Sequence, residues 1–237
     1  MRGFTVLTEV LQRVADARGG ILGVEPGLVI EPDESWTPAA ELVREPYTLL
    51  AELADETAAR WNAPRHVGAA LFWKTYGYWH TLPMVLGWAL DGKVPLMRLP
   101  DTFFKVSAAG VTLAATRVSW GSGAGEIGEA LAESQAPLVR ALGSLAKVGE
   151  RTLWGSTAEA VVHPLTSIAE GDYMRLLKEI GPPVDGLIEP ADDGYFRKTC
   201  CLWITLPDVE PCGSCCVLRP QNRPQNRPEG RPARPTA

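Results

Sequence analysis

The stretch VPLMRLPDTFFKVSAAGVTLAATRV, residues 94–118, decides the fold class. Val94, Leu96, Phe103, Phe104, Val106, Val111, Leu113 and Val118 fall in short runs with partial alternation. Pro100-Asp101 and Ala109-Gly110 punctuate those runs. Alternation with a period of two puts successive side chains on opposite faces of a strand. Two or three antiparallel strands are therefore expected here, set off by the turn signal Asp91-Gly92.

Both flanks carry helical spacing instead. Towards the N-terminus, Leu7, Val10, Leu11 and Val14 repeat as on one helix face, and Gly19-Gly20 is a stop signal. Residues 21–36 read as extended, with Pro26, Gly27 and Pro32 as breakers. Thr37-Pro38 resembles an N-cap followed by a first-turn proline. A second helix holds Leu49, Leu50, Leu53 and Ala54. Val67 to Leu90 is apolar almost all round, which predicts a buried helix, broken or kinked at Pro83. Towards the C-terminus, Ile127 and Leu131 mark one short helix, and Leu138, Leu142 and Leu145 another. Further helices are expected over Leu153–Val162 and Pro164–Ile180, ending at Gly181-Pro182-Pro183. The whole is an α+β fold, mainly helical, with a small antiparallel sheet in the middle and a cysteine-rich C-terminal segment.

Of the 237 residues, 46% are hydrophobic, enough for one or two small packed domains. The net charge of −5 is unevenly placed. Arg219 to Ala237 carries five Arg and one Glu, so the remainder has 18 basic against 27 acidic residues, a balance of −9. An acidic body is a poor match for nucleic acid and tolerates neutral or cationic partners better. No secretory signal is evident, because Thr8, Glu9, Gln12 and Arg13 interrupt any apolar run after the start. The most apolar stretch, Tyr78–Leu90, contains His80 and Pro83 and falls short of the roughly 20 residues a membrane span needs. The chain reads as cytoplasmic, where clustered thiols serve metals or catalysis more than disulfides.

All five cysteines lie near the C-terminus: Cys200, Cys201, Cys212, Cys215 and Cys216. Soft thiolates select zinc, copper(I) or iron–sulfur clusters. A zinc ribbon would offer two Cys-x-x-Cys knuckles, and only Cys212-Gly213-Ser214-Cys215 has that form. The other pair, Cys200-Cys201, is adjacent. Neighbouring side chains diverge, so such a pair reaches two atoms of a larger centre more readily than one small ion. Spacing leaves both zinc and a 2Fe–2S core open, with the latter ahead.

The pattern Cys-Cys-x10-Cys-x-x-Cys over Cys200, Cys201, Cys212 and Cys215 resembles the C-terminal signature of the FhuF-like ferric siderophore reductases. Arg197-Lys198, Leu202-Trp203 and Pro211 flank it similarly. Leu153-Trp154-Gly155-Ser156, with Ala158 and Ala160, is similar to a second stretch of that family, in which Asn commonly takes the place of Ser156. The resemblance covers about residues 195–216, is fainter over 150–180, and does not extend to residues 1–140. It implies a 2Fe–2S cluster on Cys200, Cys201, Cys212 and Cys215, and one-electron reduction of an iron(III) siderophore to release iron(II). It leaves Cys216 unligated, unless the register slips by one residue and Cys216 replaces Cys215. The implied organisation is a mainly helical siderophore-binding region over 1–190, a cluster-binding segment over 191–218, and an Arg/Pro-rich tail over 219–237 without fixed structure. That tail repeats Arg219-Pro-Gln-Asn, Arg223-Pro-Gln-Asn and Arg227-Pro-Glu-Gly, and could tether the chain peripherally to an acidic surface.

A hydroxamate siderophore is favoured, since a highly anionic tris-catecholate would approach an acidic body against repulsion. Electrons would come from a separate donor such as a ferredoxin or reductase. Gly123-Ala-Gly-Glu-Ile-Gly128 matches a dinucleotide fingerprint, but a second strand ending in an acid about 20 residues on is missing, because residues around Glu150 read as helix. Arg197 and Lys198 either oppose the cluster's charge or are solvated cations. Phe72, Trp73, Tyr76, Tyr78 and Trp79 form an aromatic group assigned to the core. His66, His80 and His163 are given no catalytic role. The alternatives are a 2Fe–2S electron carrier or redox sensor without enzymatic activity, and a zinc-stapled binding protein.

Overall fold

The structure is a computed structural model and describes residues 5–17, 22–107 and 110–219. Its centre is helix α3 (Arg65–Asp91), preceded by α1 (Thr5–Ala17) and α2 (Thr48–Arg60). An apolar surface all round requires neighbours all round. Helices α1 and α2 pack on α3, and so does α6 (Glu150–Ser167). Trp73 and Leu82 are wholly buried and Tyr76 nearly so. Burying such side chains contributes about 1.5–3 kcal/mol each. The Trp73 indole N–H donates to the Leu153 carbonyl at 3.0 Å, which fixes α3 against α6. A Cβ added at Gly68 would lie 2.5 Å from the Ala54 carbonyl oxygen, so glycine lets α2 and α3 meet backbone to backbone.

The boundary expected at Pro164 is corrected, and at Pro83 the helix is not broken. Helix α3 runs unbroken through Pro83, and α6 runs through Pro164 rather than ending before it. An interior proline costs about 3 kcal/mol. Here Leu82, Met84 and Val85 around Pro83, and Leu165 beside Pro164, are buried, and that packing outweighs the loss. The break expected at 164 falls after Ser167, and α7 (Tyr173–Ile180) starts behind the N-cap Asp172. The helices α4 (Ala124–Ser134) and α5 (Ala136–Ala146) complete the helical part.

The sheet lies where the alternation places it. Strands β4 (Thr102–Ser107) and β5 (Gly110–Ala115) form an antiparallel hairpin, with Phe104 opposite Leu113. The two-residue β2 (Thr37–Pro38) pairs antiparallel with β4, and a 3-10 turn over Ala39–Val43 follows where an N-cap was expected. The extended N-terminal stretch contributes β1 (Val24–Val29), which pairs parallel with β5, so this sheet is mixed rather than antiparallel throughout. A separate ribbon joins β3 (Val94–Leu96) to β6 (Ser119–Gly121), and another joins β7 (Ile188–Ala191) to β8 (Gly194–Arg197). Gly19-Gly20 and the Arg-Pro repeat beyond Arg219 lie outside the described residues. Arg219 itself pairs with Glu189 on β7, so the first arginine of the repeat belongs with the folded segment. No helix among the described residues is long and apolar enough to cross a membrane.

Candidate metal centre

Strand β8 delivers the chain to the cysteines. Its last residue, Arg197, is wholly buried, and its backbone N–H donates to the Ser214 carbonyl at 2.8 Å. The strand end is thereby tied to the Cys212–Cys215 loop. That loop is a turn in which the Cys215 N–H donates to the Cys212 carbonyl at 2.9 Å. The spacer between the cysteine arms folds back on the start of α3. Leu206 packs with Val67 and Leu71, and the Trp203 indole N–H donates to the Glu210 carbonyl at 3.1 Å. The spacer is thus a built element that fixes how far apart the arms stand.

The thiols sort into two groups. Cys201 and Cys212 share a hydrogen bond, which holds the Cys201 thiol low, helped by Arg197 and Lys74 against burial. The same bond, with burial, pushes the Cys212 thiol up. Cys216 touches both Cys200 and Cys215 and is pushed up to about 11, first by burial. Each group therefore takes cysteines from both arms. Among the described residues, no group of three or more His, Cys, Asp or Glu side chains is placed to hold a metal ion. The five thiols thus stand as one pair, Cys201 with Cys212, and one group in which Cys216 meets Cys200 and Cys215.

Beneath the cysteines lies a buried ionic network. Arg197 donates to Glu159 at 2.9 Å and to Ser156 at 3.0 Å. Ser214, inside the cysteine loop, donates to the other Glu159 oxygen, and Lys74 stands 3.5 Å from Glu159. Burial would raise the Glu159 carboxyl, but Arg197 and Lys74, with the bond from Ser214, outweigh burial and hold it low. Two cations against one carboxylate leave a positive remainder under the thiols. Among the described residues, Arg197 Nε and Thr199 Oγ1 are buried without a hydrogen-bond partner. Such donors beside the cysteines suit an anionic group held by thiolates. Gly155 makes room for this arrangement, since a Cβ there would stand 1.7 Å from Thr199 Oγ1.

The structure separates the Arg197-Lys198 pair, burying the first and exposing the second. Lys74 and Glu159 are not among the residues that the cysteine pattern points to, although each is a lone charge inside an apolar helical run. That is a readable sign of a buried partner. His80 is buried, bonded to the Met97 carbonyl at 2.9 Å and to Gln135 at 3.1 Å, and burial lowers it to about 4. His163 meets Tyr78 at 3.0 Å, and His66 is exposed. Of the aromatic group, Trp73 and Tyr76 are core, while Phe72, Tyr78 and Trp79 also face a cavity of about 570 Å³. That cavity lies along α2, α3 and α6 and reaches Cys212 and Trp203. In the glycine motif, Glu126 accepts from the Gly123 N–H at 3.1 Å and from the Ser122 N–H. The donors a pyrophosphate would need are thus occupied, and β6 pairs antiparallel, not in a parallel crossover unit.

No family model matches the chain, and no curated protein matches it.

Proposed function

We propose that the chain is a 2Fe–2S ferric siderophore reductase, with Cys200, Cys201, Cys212 and Cys215 as ligands. The observation that carries this reading is the sorting of the thiols: Cys201 meets Cys212, while Cys200 and Cys215 both meet Cys216. The Cys201–Cys212 pair joins the two arms, and Cys216 joins Cys200 to Cys215. Together with the Cys-Cys-x10-Cys-x-x-Cys resemblance, this favours a two-metal centre over a zinc staple. When bound, such a cluster supplies storage and release of one electron at a time.

The chain's own residues do the rest. Arg197 and Lys74 oppose the negative charge that four thiolates bring, and Glu159 holds both cations in place. Arg197 and Ser214 fix the Cys212 loop to α6 through Glu159 and Ser156. The reaction is one-electron reduction of iron(III) in the chelate to iron(II). Hard hydroxamate oxygens bind iron(II) weakly, so the metal becomes exchangeable without a covalent bond to protein. The electron comes from a separate ferredoxin or reductase. The proposed setting is the cytoplasm, with peripheral association through the basic tail as an option. A pure carrier or sensor needs no substrate cavity, so the cavity reaching Cys212 supports the reductase over that alternative.

The test is anaerobic mixing of dithionite-reduced, desalted protein with a panel of ferric chelates, following the visible band and trapping iron(II) with a chelator. The reading expects reoxidation with one iron(II) trapped per electron. A protein that stays reduced with every chelate is a carrier or sensor instead.

A further inference from the structure

We propose that Lys74 and Arg197 make the thiol site electrostatically one-sided, so that the electron a two-iron centre takes up is held beside Cys201 and Cys212, on the cavity side. This rests on the cluster reading and adds which face of it holds the electron, whatever acceptor receives it.

The surplus positive charge stands on one side. Arg197 donates to one Glu159 oxygen at 2.9 Å and Ser214 to the other, so the carboxylate is matched before Lys74 is counted. Lys74, 3.5 Å from Glu159, is therefore a surplus cation, and it lines the same cavity as Cys212. On and behind that wall Arg60, Lys74 and Arg197 stand against Glu56 and Glu159, which leaves one positive charge over. The unpartnered buried donors lie here too. Arg197 Nε belongs to the network, and Thr199 Oγ1 stands against Gly155, one turn of α6 before Glu159. The other side has no such surplus. Cys216 meets Cys200 and Cys215 there, and Arg219, whose N–H donates to the Cys216 carbonyl at 3.5 Å, is paired with Glu189. Lys198, Asp208 and Glu210 are exposed, so water screens them.

The thiols respond accordingly. Beyond the bond they share, the charges of Arg197 and Lys74 lower Cys201, and Lys74 opposes the rise that this bond and burial cause in Cys212. Cys216 is raised by burial and by its neighbouring thiols. Uptake of one electron turns one of two iron(III) ions into iron(II) and adds one negative charge, with no bond made or broken. A cation held out of open water favours that charge on the nearer metal atom. Lys74 has a side chain 33% exposed and Arg197 one 1% exposed, so both are screened less than a surface charge. The iron(II) side is then the side of Cys201 and Cys212. Among the described residues Cys212 is the one cysteine in the cavity wall, so an acceptor in the cavity meets the iron(II) side first.

The experiment first measures the one-electron midpoint potential, by anaerobic dithionite titration of the visible band against redox dyes, in wild type, Lys74→Met, Lys74→Arg and Lys198→Met. Lys74→Met should be about tenfold harder to reduce, which for one electron is about 59 mV. That difference should persist at high salt. Lys74→Arg, which keeps the charge, and Lys198→Met, which removes an exposed one, should each stay within about threefold of wild type. The side is then read in full-length chain joined at Cys200 from recombinant residues 1–199 and a synthetic remainder, with β-deuterated cysteine at one position at a time. Iron(III) dominates the spin of the reduced pair. Electron–nuclear double resonance should therefore give smaller couplings, of opposite sign, at Cys201 and Cys212 than at Cys200 and Cys215. An unchanged potential in Lys74→Met, an equal shift in Lys198→Met, or the iron(II) couplings at Cys200 and Cys215 overturns the proposal and leaves the cluster standing. A chain without iron and sulfide overturns both. If the pattern holds while no ferric chelate is reduced, the proposal stands and the reductase falls.

Discussion

Removing Glu159 should cost more than removing Arg197, and removing both should cost less than the sum. Arg197 is fully enclosed, with a side chain 1% exposed, and its ionic partner is Glu159. In Glu159→Ala the guanidinium keeps Ser156 alone as a side-chain partner and stays buried, which should cost about 3–5 kcal/mol. In Arg197→Met the carboxylate is 12% exposed and keeps Lys74 at 3.5 Å and the Ser214 hydroxyl. The loss is then two charge-assisted bonds, about 1.5–3 kcal/mol each, largely returned because a guanidinium is no longer desolvated. The double variant leaves no fully buried charge stranded, since Lys74 is 33% exposed, so a coupling of about 2 kcal/mol or more is expected. Urea unfolding of the cluster-free wild type, the two single variants and the double variant measures this directly. Additivity within about 0.5 kcal/mol, or a Glu159→Ala cost below about 1 kcal/mol, would refute the account of the network.

Acid should weaken the fold through His80 as well. Its folded value is depressed from 6.5 to about 4, so the stability from keeping it neutral is full above pH 6.5 and lost as pH falls towards 4. The loss amounts to about 3 kcal/mol at about 1.4 kcal/mol per unit, and His80→Gln should flatten it in urea midpoints taken at pH 7 and pH 4.5. Gly155→Ala should drive Thr199 out of place and reduce the visible absorbance per chain, and Thr199→Gly added to it should restore part of that absorbance. Serine at Cys200, Cys201, Cys212 or Cys215 should bleach the protein, while Cys216→Ser should leave it coloured. Colour lost at Cys216 but kept at Cys215 would shift the ligand register by one. Ending the chain after Arg219, which keeps the pair with Glu189, should leave iron(II) release unchanged, and a large fall would give the repeat a recruiting role.

Local pattern was legible and long-range pairing was not. The periodicity of Leu7, Val10, Leu11 and Val14, and the alternation through Phe104 and Leu113, correspond to α1 and the β4–β5 hairpin because neighbours in sequence set them. The parallel pairing of β1 with β5 joins residues about 90 positions apart, and no local signal reports it. Pro164 misleads as a boundary, and Pro83 breaks no helix, because tertiary burial overrode a local cost. In the site, the cysteines announce themselves by crowding. Lys74, Glu159 and Arg197 come together from three elements, and only the oddity of a charge in an apolar run hints at the meeting. Ser156 stands out only through the resemblance, and its bond to Arg197 supplies a physical role.

The central claim is that these thiols hold a two-iron centre. The most direct measurement is iron, zinc and acid-labile sulfide per chain, with an electron paramagnetic resonance spectrum, on anaerobically purified protein before and after dithionite. The account predicts two irons and two sulfides per chain, a silent oxidised state, and a spin-one-half signal on one-electron reduction. One zinc per chain with no sulfide and no visible absorption would contradict it.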